Sequence, residues 1–374
     1  MRKVILLLIT AMIALTFGSC NNSENVITFS PPPSETPMPT PTRTPSPSPT
    51  ATPTSTPEPT PTPYEGPRSV LTGLPIDAES ANLRPAAIMI NNIKEALPMH
   101  GLNGADMIYE VLAEGGVTRL LAVYQNPADV GAVGSVRSSR HYFLDLAQGL
   151  DAIYVHAGGS PQAYTEFVSR KVDHLDGVKV SYPFFYRDSA RASSGYAYEH
   201  RLFLNGAKLA TYLNEVSKLK REHPEDYTLP LEFADDGTPK GGEAALKISA
   251  RYSGYKTGVF DYDKETSKYK VSEYGKPMND GADSTQVSVT NVVILKVSVN
   301  AIKGDTSGRI NVTLTGEGEG WYACGGKYVE ITWSKKSYSA PFVYKLKSTG
   351  EDVVFGRGVS YINIIPKSEN VSFE

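Results

Sequence analysis

Two short runs in the first half of this chain gather residue types suited to holding negative charge. One is Ser135-Val136-Arg137-Ser138-Ser139-Arg140; the other is His156-Ala157-Gly158-Gly159-Ser160. Each leads into a stretch with helical apolar spacing. Each is therefore expected to leave backbone N–H groups at a helix start, where aligned peptide dipoles favour an anion. Arg137 and Arg140 add planar guanidinium donors that can grip phosphate or carboxylate oxygens in pairs. Gly158 and Gly159 let a ligand approach the main chain closely, and Ser138 and Ser160 add hydroxyls. His156 is expected at the C-terminal end of a strand, where α/β folds collect binding groups. Glu110, Arg119 and His200 are expected at the rim of the same pocket. A blander reading pairs Arg137 and Arg140 with Glu110, Glu114 or Asp145 and makes His156 a hydrogen-bonded core side chain.

Signals for catalysis are weak. Ser160 follows a glycine pair, but no G-x-S-x-G elbow occurs. His156 is the one candidate general base, which keeps an envelope phosphotransferase or hydrolase as the runner-up reading. Histidines 100, 141, 156, 174, 200 and 223 form no H-x-x-x-H or H-x-H pair, and there is no C-x-x-C. No metal or cofactor is expected. Tyr252, Tyr255, Tyr262, Tyr269 and Tyr274 in the second half offer an aromatic ligand platform, though such spacing more often marks packing at a sheet surface.

The elements that must position these residues make an α+β protein: a mixed α/β domain over 67–222 followed by a β-rich domain over 223–374. Ala86 to Ile90 reads as a short buried strand. The segments 107–113 and 117–124 flank Gly115-Gly116 and read as a hairpin. Ser138 or Ser139 is expected to cap a helix carrying Phe143, Leu144 and Ala147. After a strand over 152–156, Ser160 is expected to cap a second helix with Pro161 in its first turn. Alternating runs at 245–250, 258–262, 287–294 and 361–365, with Lys345 in another strand, make the second half β-rich.

The N-terminus has the charge–apolar–small order of an export signal: Met1-Arg2-Lys3, an apolar run from Val4 to Phe17, then Gly18-Ser19-Cys20. The apolar run is too short to span a membrane. Residues 1–20 are expected to be a lipoprotein signal, with diacylglycerol on Cys20 tethering the protein to the extracellular face of the membrane. A disordered stalk follows over 21–66. Residues 31–63 hold 14 Pro, 10 Thr and 4 Ser, too little apolar surface to offset ordering entropy. Extended as polyproline, that stretch reaches roughly 100 Å. With Cys20 acylated, Cys324 has no intrachain partner, so it is expected to be a small buried side chain. The net charge of −3 excludes a protein whose whole surface is an electrostatic nucleic-acid binder.

The same motifs carry a family resemblance. RPAAIMINN (84–92), ADMIYEVLAEGGVTRLLAVY (105–124), GSVRSSR (134–140) and DAIYVHAGGSPQA (151–163) resemble the YerB-like lipoproteins of Gram-positive bacteria. LDG (175–177), FYRD (185–188), His200, NVVI (291–294), ITW (331–333) and YINIIP (361–366) extend the likeness. The resemblance implies an N-terminal and a C-terminal domain on a membrane lipoprotein and assigns no catalytic residue. The chain departs from it at Arg201 and Phe203, where relatives tend to read Asn and Tyr. The leading expectation is a surface binding module for an anionic envelope polymer, nucleotide or extracellular nucleic acid. A scaffold or adhesion protein without a pocket is the other alternative.

Overall fold

The computed structural model describes Ser30 and residues 64–374. Cys20, the expected signal and the Pro/Thr run over 31–63 lie outside the described residues. After a single helical turn at Ala78–Ala81 come β1 (Ala86–Asn92), β2 (Met107–Leu112) and β3 (Thr118–Tyr124). Helix α1 (His141–Gly149), β4 (Ile153–His156), α2 (Pro161–Ser169) and β5 (His174–Asp176) follow. The second half supplies β6 (Lys247–Arg251), β7 (Thr257–Asp263), β8 (Lys268–Glu273), β9 (Asn291–Val297) and β10 (Gly316–Cys324). It closes with β11 (Lys327–Lys335), β12 (Ser360–Pro366) and β13 (Val371–Phe373). Strands dominate and helices are few and short, so the expected α+β class holds.

The hairpin forms as expected. β2 and β3 pair antiparallel from Met107 opposite Val123 to Leu112 opposite Thr118. Gly115 and Gly116 both take positive φ in the connecting turn, at 73° and 76°, conformations that glycine adopts without a Cβ clash. β1 pairs antiparallel with β3 and parallel with β4, and β4 with β5. That group forms one end of a sheet of eleven strands.

The other end comes from the second half of the chain. β12 lies parallel to β2, then β9 parallel to β12, then β10 and β11 antiparallel. The short strands Glu243–Ala244 and Val343–Leu346 both pair with β11. One sheet thus runs through both halves of the sequence. A smaller antiparallel sheet holds β8, β7, β6 and β13 in that order.

The pleat sends alternate residues to opposite faces. On one face Ala87, Met89, Tyr109, Val111, Leu121 and Val123 pack with Tyr142, Phe143 and Leu146 of α1 and Ala163 and Phe167 of α2. On the other, Ile88, Ile90, Ile108, Leu120 and Ala122 pack with Ile248, Phe260, Tyr269 and Val271 of the small sheet. Both faces of β1 and β3 are covered, which is why these strands read as near-continuous apolar runs. Cys324 is buried and free, as expected. Among the described residues no helix is long and apolar enough to cross a membrane.

Candidate functional site

The two runs that open the sequence analysis lie side by side. The segment 135–140 crosses the ends of β1 and β4. Arg137 N donates to Met89 O at 2.9 Å, and Ala157 N donates to Arg137 O at 3.1 Å. Ser139 N donates to Gly158 O at 2.8 Å, and Ser160 N to Ser139 O at 3.2 Å. This mutual zipper consumes amides that were expected to hold an anion. Gly158 N is also spent, on Asp176 Oδ1 at 2.8 Å. The expectation of a main-chain cradle is corrected accordingly: these N–H groups already have acceptors.

Helix α1 begins one or two residues later than expected. Its N-cap is Arg140, without a side-chain hydrogen bond, not Ser138 or Ser139. The Ser139 hydroxyl instead accepts from Tyr154 OH at 3.0 Å. Helix α2 starts as its sequence indicates. Ser160 caps it by accepting from Ala163 N at 3.1 Å, and Pro161 fills the first turn. That cap also removes the Ser160 hydroxyl from ligand contact, for the residue is buried.

The three arginines divide into two kinds. Arg140 donates through Nε to Glu114 Oε2 at 2.8 Å and pairs with Glu114 Oε1 through a second nitrogen. Its third donor bonds Ser139 O at 2.7 Å. Arg119 donates to Ser138 O and reaches Glu114 Oε1 at 3.2 Å. Burial disfavours the charged Glu114 carboxylate, yet hydrogen bonding from Arg140 and the charges of both arginines outweigh it and hold its pKa down to about 2. Arg140 and Arg119 are therefore anchored internally. Arg137 is not. It is half-buried, and among the described residues its guanidinium has no hydrogen-bond or ion-pair partner. Burial lowers its pKa, the Glu199 charge offsets part of that fall, and the Arg140 charge adds to it.

His156 is turned into the core rather than toward a ligand. The ring is fully buried, with Nδ1 2.8 Å from Gly158 O and Nε2 2.9 Å from His174 Nδ1. It stacks on Phe167 at 4.6 Å. Burial pushes its pKa down to about 4. Both nitrogens are engaged, which removes the lone pair a general base needs.

Glu110 is also corrected. It and Arg119 lie on adjacent strands but on opposite faces of the sheet, because Arg119 is the register partner of Val111. Glu110 points toward the small sheet, into a buried network with Asn92, Thr118, Tyr361 and Lys256. Sequence reasoning missed this network. Its members come from distant segments, with Tyr361 251 positions from Glu110, and Lys256 follows a Ser-Gly-Tyr turn that reads as solvent-exposed.

His200 does approach the candidate site. It is buried, with Asn91 Nδ2 donating to its Nδ1 at 3.0 Å. Burial lowers its pKa first, and the Arg137 charge second. Gly158 has φ 77°, and a Cβ placed there would meet Ser138 Oγ at 3.6 Å and Val178 Cγ2 at 3.7 Å. The junction therefore brings the backbones of Arg137, Ser138, Gly158 and Gly159 together, with Ser138 Oγ beside Gly158. Arg119 and Arg140 stand behind them, and His200 lies near Arg137. Among the described residues no cluster of three or more His, Cys, Asp or Glu is placed to hold a metal ion.

Comparison with known proteins fits this architecture. Two family models match: the N-terminal domain of a protein of unknown function, DUF3048, over residues 71–218, and its C-terminal domain over residues 248–362. YerB of Bacillus subtilis (strain 168), whose name carries a provisional lipoprotein label, is 30% identical over 308 residues. That alignment spans 82% of this chain and 88% of YerB. A crystal structure of the YerB protein from Bacillus subtilis superposes with a TM-score of 0.69 at 27% identity, covering 82% of this chain and 99% of that one. On the strength of these matches, and of the motifs that first suggested it, this chain belongs to the YerB-like family of DUF3048 proteins.

Proposed function

We propose that this protein is a cell-surface binding module that takes a phosphate-bearing anion at Arg137. The carrying observation is the contrast among its arginines: Arg119 and Arg140 share Glu114, whereas Arg137 is half-buried without a partner among the described residues. Removing a guanidinium from water without pairing it is costly. An incoming anion offsets that cost, and with Arg119, Arg137 and Arg140 against Glu114 and Glu199 the cluster keeps an excess of positive charge to receive it. Ser138 Oγ stands beside Gly158 as a further donor. The site is a side-chain site, smaller than the amide-lined pocket expected from sequence.

In this reading Cys20 carries the lipid, the Pro/Thr run spaces the body from the extracellular face of the membrane, and the lipoprotein label of YerB favours the same anchorage. The ligand class is a phosphate-bearing envelope polymer, a nucleotide or extracellular nucleic acid. A thermal-shift panel of phosphorylated ligands tests it. At least one is expected to raise Tm in the parent protein and to lose that effect in Arg137→Ala. If no ligand shifts Tm, or the shift survives the substitution, the scaffold reading takes its place. Nucleic acid among the ligands would show itself by retention that falls steeply with salt.

A further inference from the structure

The binding proposal leaves unused a group of ionisable side chains sealed between the two sheets. Lys256 immediately precedes β7, and Glu273 ends β8, opposite Gly258 in the register of that hairpin. Lys256 is fully buried; its Nζ touches Glu273 Oε2 and lies 3.3 Å from Glu110 Oε1. The Tyr274 ring covers the amine, 4.4 Å from ring centroid to Nζ. Glu110, from the main sheet, has a full set of donors: Thr118 Oγ1 at 2.6 Å and Asn92 Nδ2 at 2.9 Å on one oxygen, Tyr361 OH at 2.6 Å on the other. Glu273 has no comparable set. Burial raises its pKa by more than Lys256 lowers it, and the Glu110 charge adds to the rise. One amine and two carboxyl groups therefore meet in a space closed to water, one carboxyl biased toward its protonated form and the other held as an acceptor.

Two buried charges are expensive even when paired, and a reaction that abolishes both is favoured where water cannot solvate them. Held in contact, an amine and a carboxyl group also react as parts of one molecule, with effective concentrations that reach about 10⁵ M or more when orientation is good. We propose that Lys256 and Glu273 are joined by an intramolecular amide bond, formed in the folded chain with Glu110 as proton carrier. The Lys256 ammonium passes one proton to Glu110, and the neutral Nζ adds to Cδ of protonated Glu273. The C–N bond forms, a second Nζ proton reaches the departing hydroxyl through Glu110, and the C–O bond breaks. One water leaves and Glu110 ends protonated. Charge and atoms balance without an oxidant or any co-reactant, and the site ends neutral. Thr118, Asn92 and Tyr361 act as positioning residues for Glu110.

Peptide mapping of the full chain tests this directly. Trypsin applied after denaturation is expected to spare the bond after Lys256, because an acylated lysine is not cleaved. The Tyr252–Lys264 peptide is expected joined to the peptide carrying Glu273, at the sum of their masses less one water. Glu110→Gln keeps both reacting groups, and is expected to restore cleavage after Lys256 and the unlinked masses. Unlinked peptides at their sequence masses from the folded parent protein overturn the proposal, whatever the variants do. A linked pair that persists in Lys256→Arg also overturns it, since the joined side chain would then be another. A link that survives Glu110→Gln overturns the role given to Glu110.

Discussion

Ser139 and Gly159 face one another as a parallel bridge between two segments that never belong to the same strand pair. Through it the run 135–140 and the turn 156–160 meet, but they meet by trading their own backbone hydrogen bonds. The junction that joins them therefore uses up part of the anion-binding capacity each would have had alone. What it leaves without an internal partner, among the described residues, is the half-buried Arg137 guanidinium.

The unequal roles of the arginines are measurable. Arg140→Ala strands Glu114 beside fewer donors in a partly buried site and is expected to lower stability by about 3 kcal/mol, the scale for breaking a buried pair. Arg137→Ala removes no internal partner and is expected to stay within about 0.5 kcal/mol of the parent protein. Urea unfolding of the two variants checks this; equal losses would show that Arg137 is structural after all.

Stability is expected to fall in two steps on acidification. His156 has its pKa depressed from 6.5 to about 4 in the folded protein, so the unfolded chain binds the proton more readily. Its contribution is complete above pH 6.5 and is lost as pH falls toward 4. Glu114, depressed from 4.5 to about 2, contributes fully above pH 4.5 and is lost as pH falls toward 2. Urea midpoints across a pH series should show a smaller slope between 6.5 and 4 in His156→Phe. An unchanged slope would mean that the depressed value does not belong to His156.

Ser160→Ala removes the cap of α2 and leaves Ala163 N without its acceptor. The expected loss is about 1 kcal/mol, read by thermal or urea unfolding. A loss below a few tenths would mean that α2 starts without needing the hydroxyl.

Gly158→Ala tests conformation rather than space, because the nearest atoms to the new methyl lie at 3.6 and 3.7 Å. A φ of 77° costs an L-residue roughly 1–2 kcal/mol. A loss of that size is expected, read by thermal or urea unfolding. A neutral result would mean that the turn relaxes without disturbing the Asp176 hydrogen bond to its amide.

Local instructions in this chain were readable because they act over a few residues. The glycine pair between 107–112 and 118–124 can turn the chain back only one way, and Ser160-Pro161 both caps and begins a helix. The apolar run at 86–90 marks a strand covered on both faces. The expected start of α1 at Ser138 or Ser139 failed because longer-range partners outbid local capping: Ser139 is tied to Gly158 and Tyr154, and Arg140 to Glu114.

The site illustrates the same division. Residue types and turn positions put Arg137, Ser138, Gly158 and Gly159 near two helix starts, and the backbones of those two segments do meet. No spacing rule could tell which arginine Glu114 would satisfy. Nor could one tell that the pleat would send Glu110 to the face away from Arg119, or that His156 would find His174 as a partner. These outcomes depend on strand register and on parallel pairings such as β2 with β12, which join segments about 250 residues apart. By itself the sequence determined where the chain turns, caps and buries; only the tertiary structure decided which charges cancel, because cancellation requires atoms within hydrogen-bond reach and chain distance says nothing about that.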